Sequence, residues 1–127
     1  MTCSIGGIYE FYSAQAGYPK YHLCVRELSG VESACFLFLN SNPGYRDSLV
    51  LADTEIPGLR PSPTGFTVIG CSMVLRANAR QLHIFAAKLV TRLPSEIARR
   101  LEAVVGPAKS LPGDDRQLVL AALATVV

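Results

Sequence analysis

The sequence predicts an α+β fold, mainly β: a small antiparallel, barrel-like sheet closed by C-terminal helices. Two observations predict it. Up to Gly65 the chain is cut by glycine and proline into short runs rich in branched and aromatic residues, which is strand punctuation. After Pro94 the apolar period changes from two to helical spacing. At 127 residues, half of them apolar, the chain is one domain with enough apolar side chains for a core. The barrel is expected over residues 1–93 and the helices over 94–127.

Residues 5–12 alternate and form the first predicted strand. Residues 13–20 contain Gly17 and Pro19 and read as a loop. Residues 21–27 are the second strand, with Tyr21, Leu23 and Val25 on one face and His22, Cys24 and Arg26 on the other. Ala34–Asn40 is a continuous apolar strand that needs cover on both faces. Asn42, Pro43 and Gly44 mark a turn, and Ser48–Ala52 is a short fourth strand. Residues 57–65, with three prolines and two glycines, form an irregular connection. Residues 66–74 and 85–91 are the last strands, joined by a helical turn or tight bend over 76–82. Pro94 suits the first turn of a helix that carries Ile97, Leu101, Val104 and Val105 as its stripe and stops at Gly106 and Pro107. A second helix starts near Pro112, with Asp114 and Asp115 at its positive end, and is apolar all round from Leu118. Such a helix packs on the sheet or on another copy of the chain. Tyr9, Phe11, Phe36, Phe38 and Phe66 alternate within strands and read as core.

Bulk properties exclude little. A net charge of +2 neither demands nor forbids nucleic acid. The longest apolar stretches are too short to span a bilayer, and the first four residues lack the basic and apolar regions of a signal peptide. A soluble cytoplasmic domain with no membrane role is expected. Cys3, Cys24, Cys35 and Cys71 match no zinc spacing and read as structural thiols. With only His22 and His83 beside them, no metal site and no cofactor are expected.

Several side chains carry possible chemistry. His22 has an ordinary pKa near neutrality and would serve as an acid, a base or, with Arg26 on the same face, an RNA contact; the plainer reading is a surface histidine on a half-exposed strand. After the 42–44 turn, Tyr45 offers a ring for base stacking and Arg46 a phosphate contact; the plainer reading for Tyr45 is packing over the turn.

The segment Val68–Ile69–Gly70–Cys71–Ser72–Met73–Val74–Leu75–Arg76–Ala77–Asn78–Ala79–Arg80–Gln81–Leu82 reads as strand, then arginine-rich turn. Leu89–Val90–Thr91–Arg92–Leu93–Pro94–Ser95–Glu96–Ile97–Ala98 adds a strand and a capped helix, and Ile5–Gly6–Gly7–Ile8–Tyr9–Glu10–Phe11 an opening strand. Together these resemble the MazF/PemK toxin family, in strand order and spacing more than identity, over roughly the first four-fifths of the chain. The resemblance implies an SH3-like barrel, a homodimer, and a type II toxin–antitoxin role as a metal-independent endoribonuclease acting on single-stranded RNA and restrained by an antitoxin protein. It places the family's basic catalytic residue at Lys20 and its hydroxyl residue at Ser41. The family has arginine then proline where this chain has Lys20 then Tyr21, so the charge is kept and the fork lost. It also places Arg76 and Arg80 along the substrate groove or dimer interface. Without the resemblance, Lys20 is a solvated loop lysine, Ser41 a turn serine, and Arg76 and Arg80 a basic bend.

RNA supplies its own nucleophile, the 2′-hydroxyl, so cleavage needs a base, an acid and a cation that stabilises the phosphorane. The alternative function is a catalytically inactive PemK-like module that binds nucleic acid or a protein. The gyrase-poisoning CcdB branch uses a C-terminal tryptophan motif, and this chain has no tryptophan. A small interaction domain without any nucleic-acid role is the plainest option.

Overall fold

A computed structural model describes residues 2–127. Among the described residues the fold is α+β and mainly antiparallel: β1 (Gly7–Ser13), β2 (Tyr18–Arg26), β3 (Ala34–Asn40), β4 (Ser48–Ala52), β5 (Phe66–Gly70), β6 (Leu75–Ala77), α1 (Ala79–Ile84), β7 (Lys88–Arg92), α2 (Ser95–Val105) and α3 (Gly113–Val126). The seven strands form one sheet in the order β4-β5-β3-β2-β1-β7, and β6 pairs with β3. No helix among them is long and apolar enough to cross a membrane.

The sheet is not a closed barrel, which corrects that expectation. Its path has two ends, β4 and β7, and no ladder joins them. The chain after β4 covers the core there instead: Ile56 is buried and Leu59 packs on the core. Gly58, at φ +95°, lies so close to β7 that an added Cβ would stand 3.2 Å from Thr91 Cβ. Gly58→Ala is therefore expected to cost about 2 kcal/mol, because it combines a strained backbone with a tight contact. A lowered urea midpoint with an unchanged slope would register it.

β3 and β4 start and stop where the apolar pattern does. Other boundaries move for identifiable reasons. Gly6, at φ +85°, turns the chain, so β1 starts at Gly7 rather than at residue 5. Gly17, also at positive φ, makes the next turn tight, and its N–H donates to the Ser13 carbonyl at 2.8 Å. Tyr18, Pro19 and Lys20 therefore join β2 rather than a loop. The expected strand over 66–74 breaks in two. β5 pairs with the end of β3 and β6 with its start, and the chain at Cys71–Ser72–Met73–Val74 bulges out between the two ladders. The bend expected over 76–82 is resolved into β6 and α1. A reciprocal capping box starts α1: Gln81 N–H donates to Asn78 Oδ1 at 2.8 Å, and Asn78 N–H to Gln81 Oε1 at 2.9 Å. After α1, Ala86 takes φ +56°, which delays the last strand to Lys88.

Both faces of the sheet are covered, as the apolar run of β3 requires. α2 and α3 bury Ile8, Leu23, Leu37 and Ile69 against one face. α3 packs on α2 and β2. Val119, Ala122 and Leu123 are buried there, and Leu118, Leu120 and Val126 pack at the margin. Its all-round apolar character is thus largely spent within the chain. On the other face Tyr9, Phe11, Phe36, Cys24 and Cys3 form a smaller core under Leu82 of α1. Phe66, expected in the core, is exposed on β5.

Candidate functional site

The antiparallel register of β2 and β3 sets His22 opposite Phe38. Two residues towards the open end, the same register brings Lys20 against Asn40. The Lys20 ammonium donates to Asn40 Oδ1 and stands 5.5 Å from the Phe38 ring centre. Ser41 follows Asn40 directly. Lys20, Phe38, Asn40 and Ser41 line a groove of about 750 Å³. The β1–β2 hairpin forms one wall with Tyr18, and the chain over Arg60, Pro61 and Ser62 forms another. Tyr45 stands on the rim. Tyr18 and Tyr45 are both more than half exposed, at 58% and 55%.

The far wall is held by local polar contacts. Ser62 N–H donates to Asp53 Oδ2 at 2.9 Å, and Thr64 Oγ1 to the Ser41 carbonyl at 2.5 Å. Gly44 N–H donates to Asn42 Oδ1 at 2.9 Å, which shapes the turn between Ser41 and Tyr45.

The groove is basic. Among the described residues no carboxylate lines it. Burial lowers the Lys20 pKa from its ordinary 10.5, because a half-buried ammonium loses hydration. Arg60 is the second cation, and sequence reasoning missed it. Its guanidinium carbon lies 4.9 Å from the Tyr21 ring centre. Its Nη2 donates to Glu10 Oε2 at 2.5 Å. A lone arginine in a proline-rich stretch gives no periodic signal. Only the fold carries it across to β1 and β2.

The structure brings together Lys20, Ser41 and Tyr45 of the sequence-predicted residues, and separates the others from them. His22 is fully buried, so it is neither a surface residue nor an RNA contact. Its ring stacks on Phe11 at 3.6 Å and 8°, and Phe36 and Phe38 close around it. Neither ring nitrogen has a hydrogen-bond partner. Burial pushes its pKa down to about 4, opposed by the backbone of Tyr9 and Lys20 and helped by the Lys20 charge.

Arg26 does not share a face with His22. A bulge between Cys24 and Arg26 sets Arg26 opposite Cys35, on the α2–α3 side at the far end of the sheet. Its guanidinium there donates to the Ser33 carbonyl at 3.0 and 2.8 Å. Arg76, on β6, pairs with Asp115 of α3 at 2.5 Å and is outside the groove. Arg80 is exposed on α1, also outside it. Arg46 lines a separate shallow depression with Asp47 and Ser110. The four cysteines are buried and unbridged. Burial pushes the Cys24 and Cys71 thiols up to about 12, so neither is a nucleophile at neutral pH.

No family model, curated protein or solved structure matches this chain.

Proposed function

We propose that the Lys20 groove binds single-stranded RNA and cleaves it without a metal, as the MazF/PemK resemblance implies. One observation carries the reading. The β2–β3 register gathers a half-buried ammonium, an amide and a hydroxyl in a basic groove without carboxylates, with exposed tyrosines beside it. Such a groove suits a phosphate backbone, and exposed rings suit unstacked bases.

In this reading the 2′-oxygen attacks phosphorus, the bond to the 5′-oxygen breaks, and a 2′,3′-cyclic phosphate forms. Lys20 stabilises the crowded phosphorane with its charge, and the departing 5′-oxygen takes its proton from water. Ser41 donates a hydrogen bond to a non-bridging oxygen. The 2′ proton passes to water or hydroxide, because His22 is sealed beneath Phe38. The rate should therefore rise with pH and fall again once Lys20 loses its proton, below lysine's ordinary 10.5.

Incubating single-stranded RNA with the protein and a chelator tests the reading. Products ending in 2′,3′-cyclic phosphate or its opened form are expected. The second reading is a module that binds RNA or a protein without cutting. The burial of the one imidazole near the groove favours it, since no other side chain there titrates near neutrality in its ordinary range. Binding without products would select it. The resemblance further implies an SH3-like arrangement of the strands, a homodimer and an antitoxin partner. Sedimentation at tens of micromolar should show the dimer, a range where dimers of this class persist.

A further inference from the structure

We propose that the outer face of the Arg60 guanidinium is a nucleobase platform, so that the groove holds the bases of a single strand as well as its phosphates. The proposal rests on the RNA reading above. Three contacts fix the arginine from behind. Its guanidinium carbon stands over the Tyr21 ring, 4.9 Å from the ring centre. Glu10 accepts from Nη2 at 2.5 Å. Its own backbone N–H donates to Tyr21 Oη at 3.2 Å. Even so, 64% of the side chain is exposed, and it lines the groove that Lys20 occupies.

With its arginine end open to water the pair is screened and contributes little to folding, although the Glu10 side chain is only 13% exposed. Glu10 also has Lys88 within 3.8 Å as a second, weaker counter-charge. What the stack and the ion pair achieve together is a flat group held in one orientation. A guanidinium plane stacks on a nucleobase as readily as on an aromatic ring. A base entering here would complete a three-layer stack of Tyr21, Arg60 and base. Because Glu10 offsets the charge, Arg60 should add base-dependent affinity and little salt-dependent affinity. Lys20 should do the reverse.

The experiment uses two uncleavable 2′-O-methyl oligonucleotides of ten units, one of adenines and one fully abasic. Binding is measured for the parent chain and for Arg60→Lys, which keeps the charge but has no plane. The parent should prefer the adenine strand. Arg60→Lys should lower affinity for that strand about tenfold, leave affinity for the abasic strand unchanged, and keep the salt dependence of both. Equal loss on both strands, or no loss on either, would overturn the platform while leaving the RNA reading standing. So would a parent chain that binds both strands equally, a result that needs no variant to fold. A parent chain that binds neither strand overturns both.

Discussion

If the groove cleaves RNA as proposed, Lys20→Ala is expected to slow cleavage about a hundredfold, equivalent to about 2.7 kcal/mol of transition-state stabilisation. The ammonium is half buried, bonded to Asn40 and set over Phe38, so water replaces it poorly. The loss should fall on kcat more than on KM, because the phosphorane carries more charge than the bound phosphodiester. Lys20→Arg should keep or raise activity: it retains the charge, still donates to Asn40 Oδ1, and restores a fork that grips two phosphate oxygens. A Lys20→Ala chain that cuts as fast as its parent would remove the site assignment and leave the fold untouched. Single-turnover rates on a short fluorescent RNA separate these outcomes.

The second large effect concerns stability against pH and originates at His22. The ring is sealed among Phe11, Phe36 and Phe38, with both nitrogens unpartnered, and its pKa falls to about 4 from an ordinary 6.5. The unfolded chain therefore binds a proton at higher pH than the folded one does. Stability from this group is fully present above about 6.5 and is lost as pH falls towards about 4. The size is about 3 kcal/mol across that window. Urea unfolding at pH 7.5 and at pH 4.5 should show it. In His22→Leu the loss between the two pH values should shrink by about that amount. The variant should also be more stable at neutral pH, because an unsatisfied buried polar group costs about 1–3 kcal/mol. An unchanged pH dependence in His22→Leu would mean that acid destabilisation starts elsewhere.

Much of the frame was legible in the sequence because it rests on local signals. The β3 and β4 boundaries follow uninterrupted apolar or alternating runs, and α2 follows a helical stripe between Pro94 and Gly106. These patterns act over a few residues, where steric preference and apolar periodicity dominate. The Asn78–Gln81 capping box was equally local, and its spacing was in the sequence to be read. Lys20, Ser41 and Tyr45 could be marked as candidates from chemistry and resemblance.

Their neighbours could not, because pairing between distant strands decides them. A bulge after Cys24 moved Arg26 to the opposite face from His22, and a bulge leaves no period in a nine-residue strand. His22 looks amphipathic in a half-exposed strand. It became a core residue only because α1 and the aromatic face of β1 and β3 close over that side. The sheet stays open because the chain after β4 crosses the gap instead of adding a ladder, and that crossing also carries Arg60 to Glu10 and Tyr21. The sequence by itself determined where β3, β4 and α2 lie and marked Lys20, Ser41 and Tyr45 as candidates, while it left Arg60 unmarked. Tertiary structure alone decided which of those residues face one groove, because one-residue register shifts and long-range closure reverse a side chain's face without altering its local pattern.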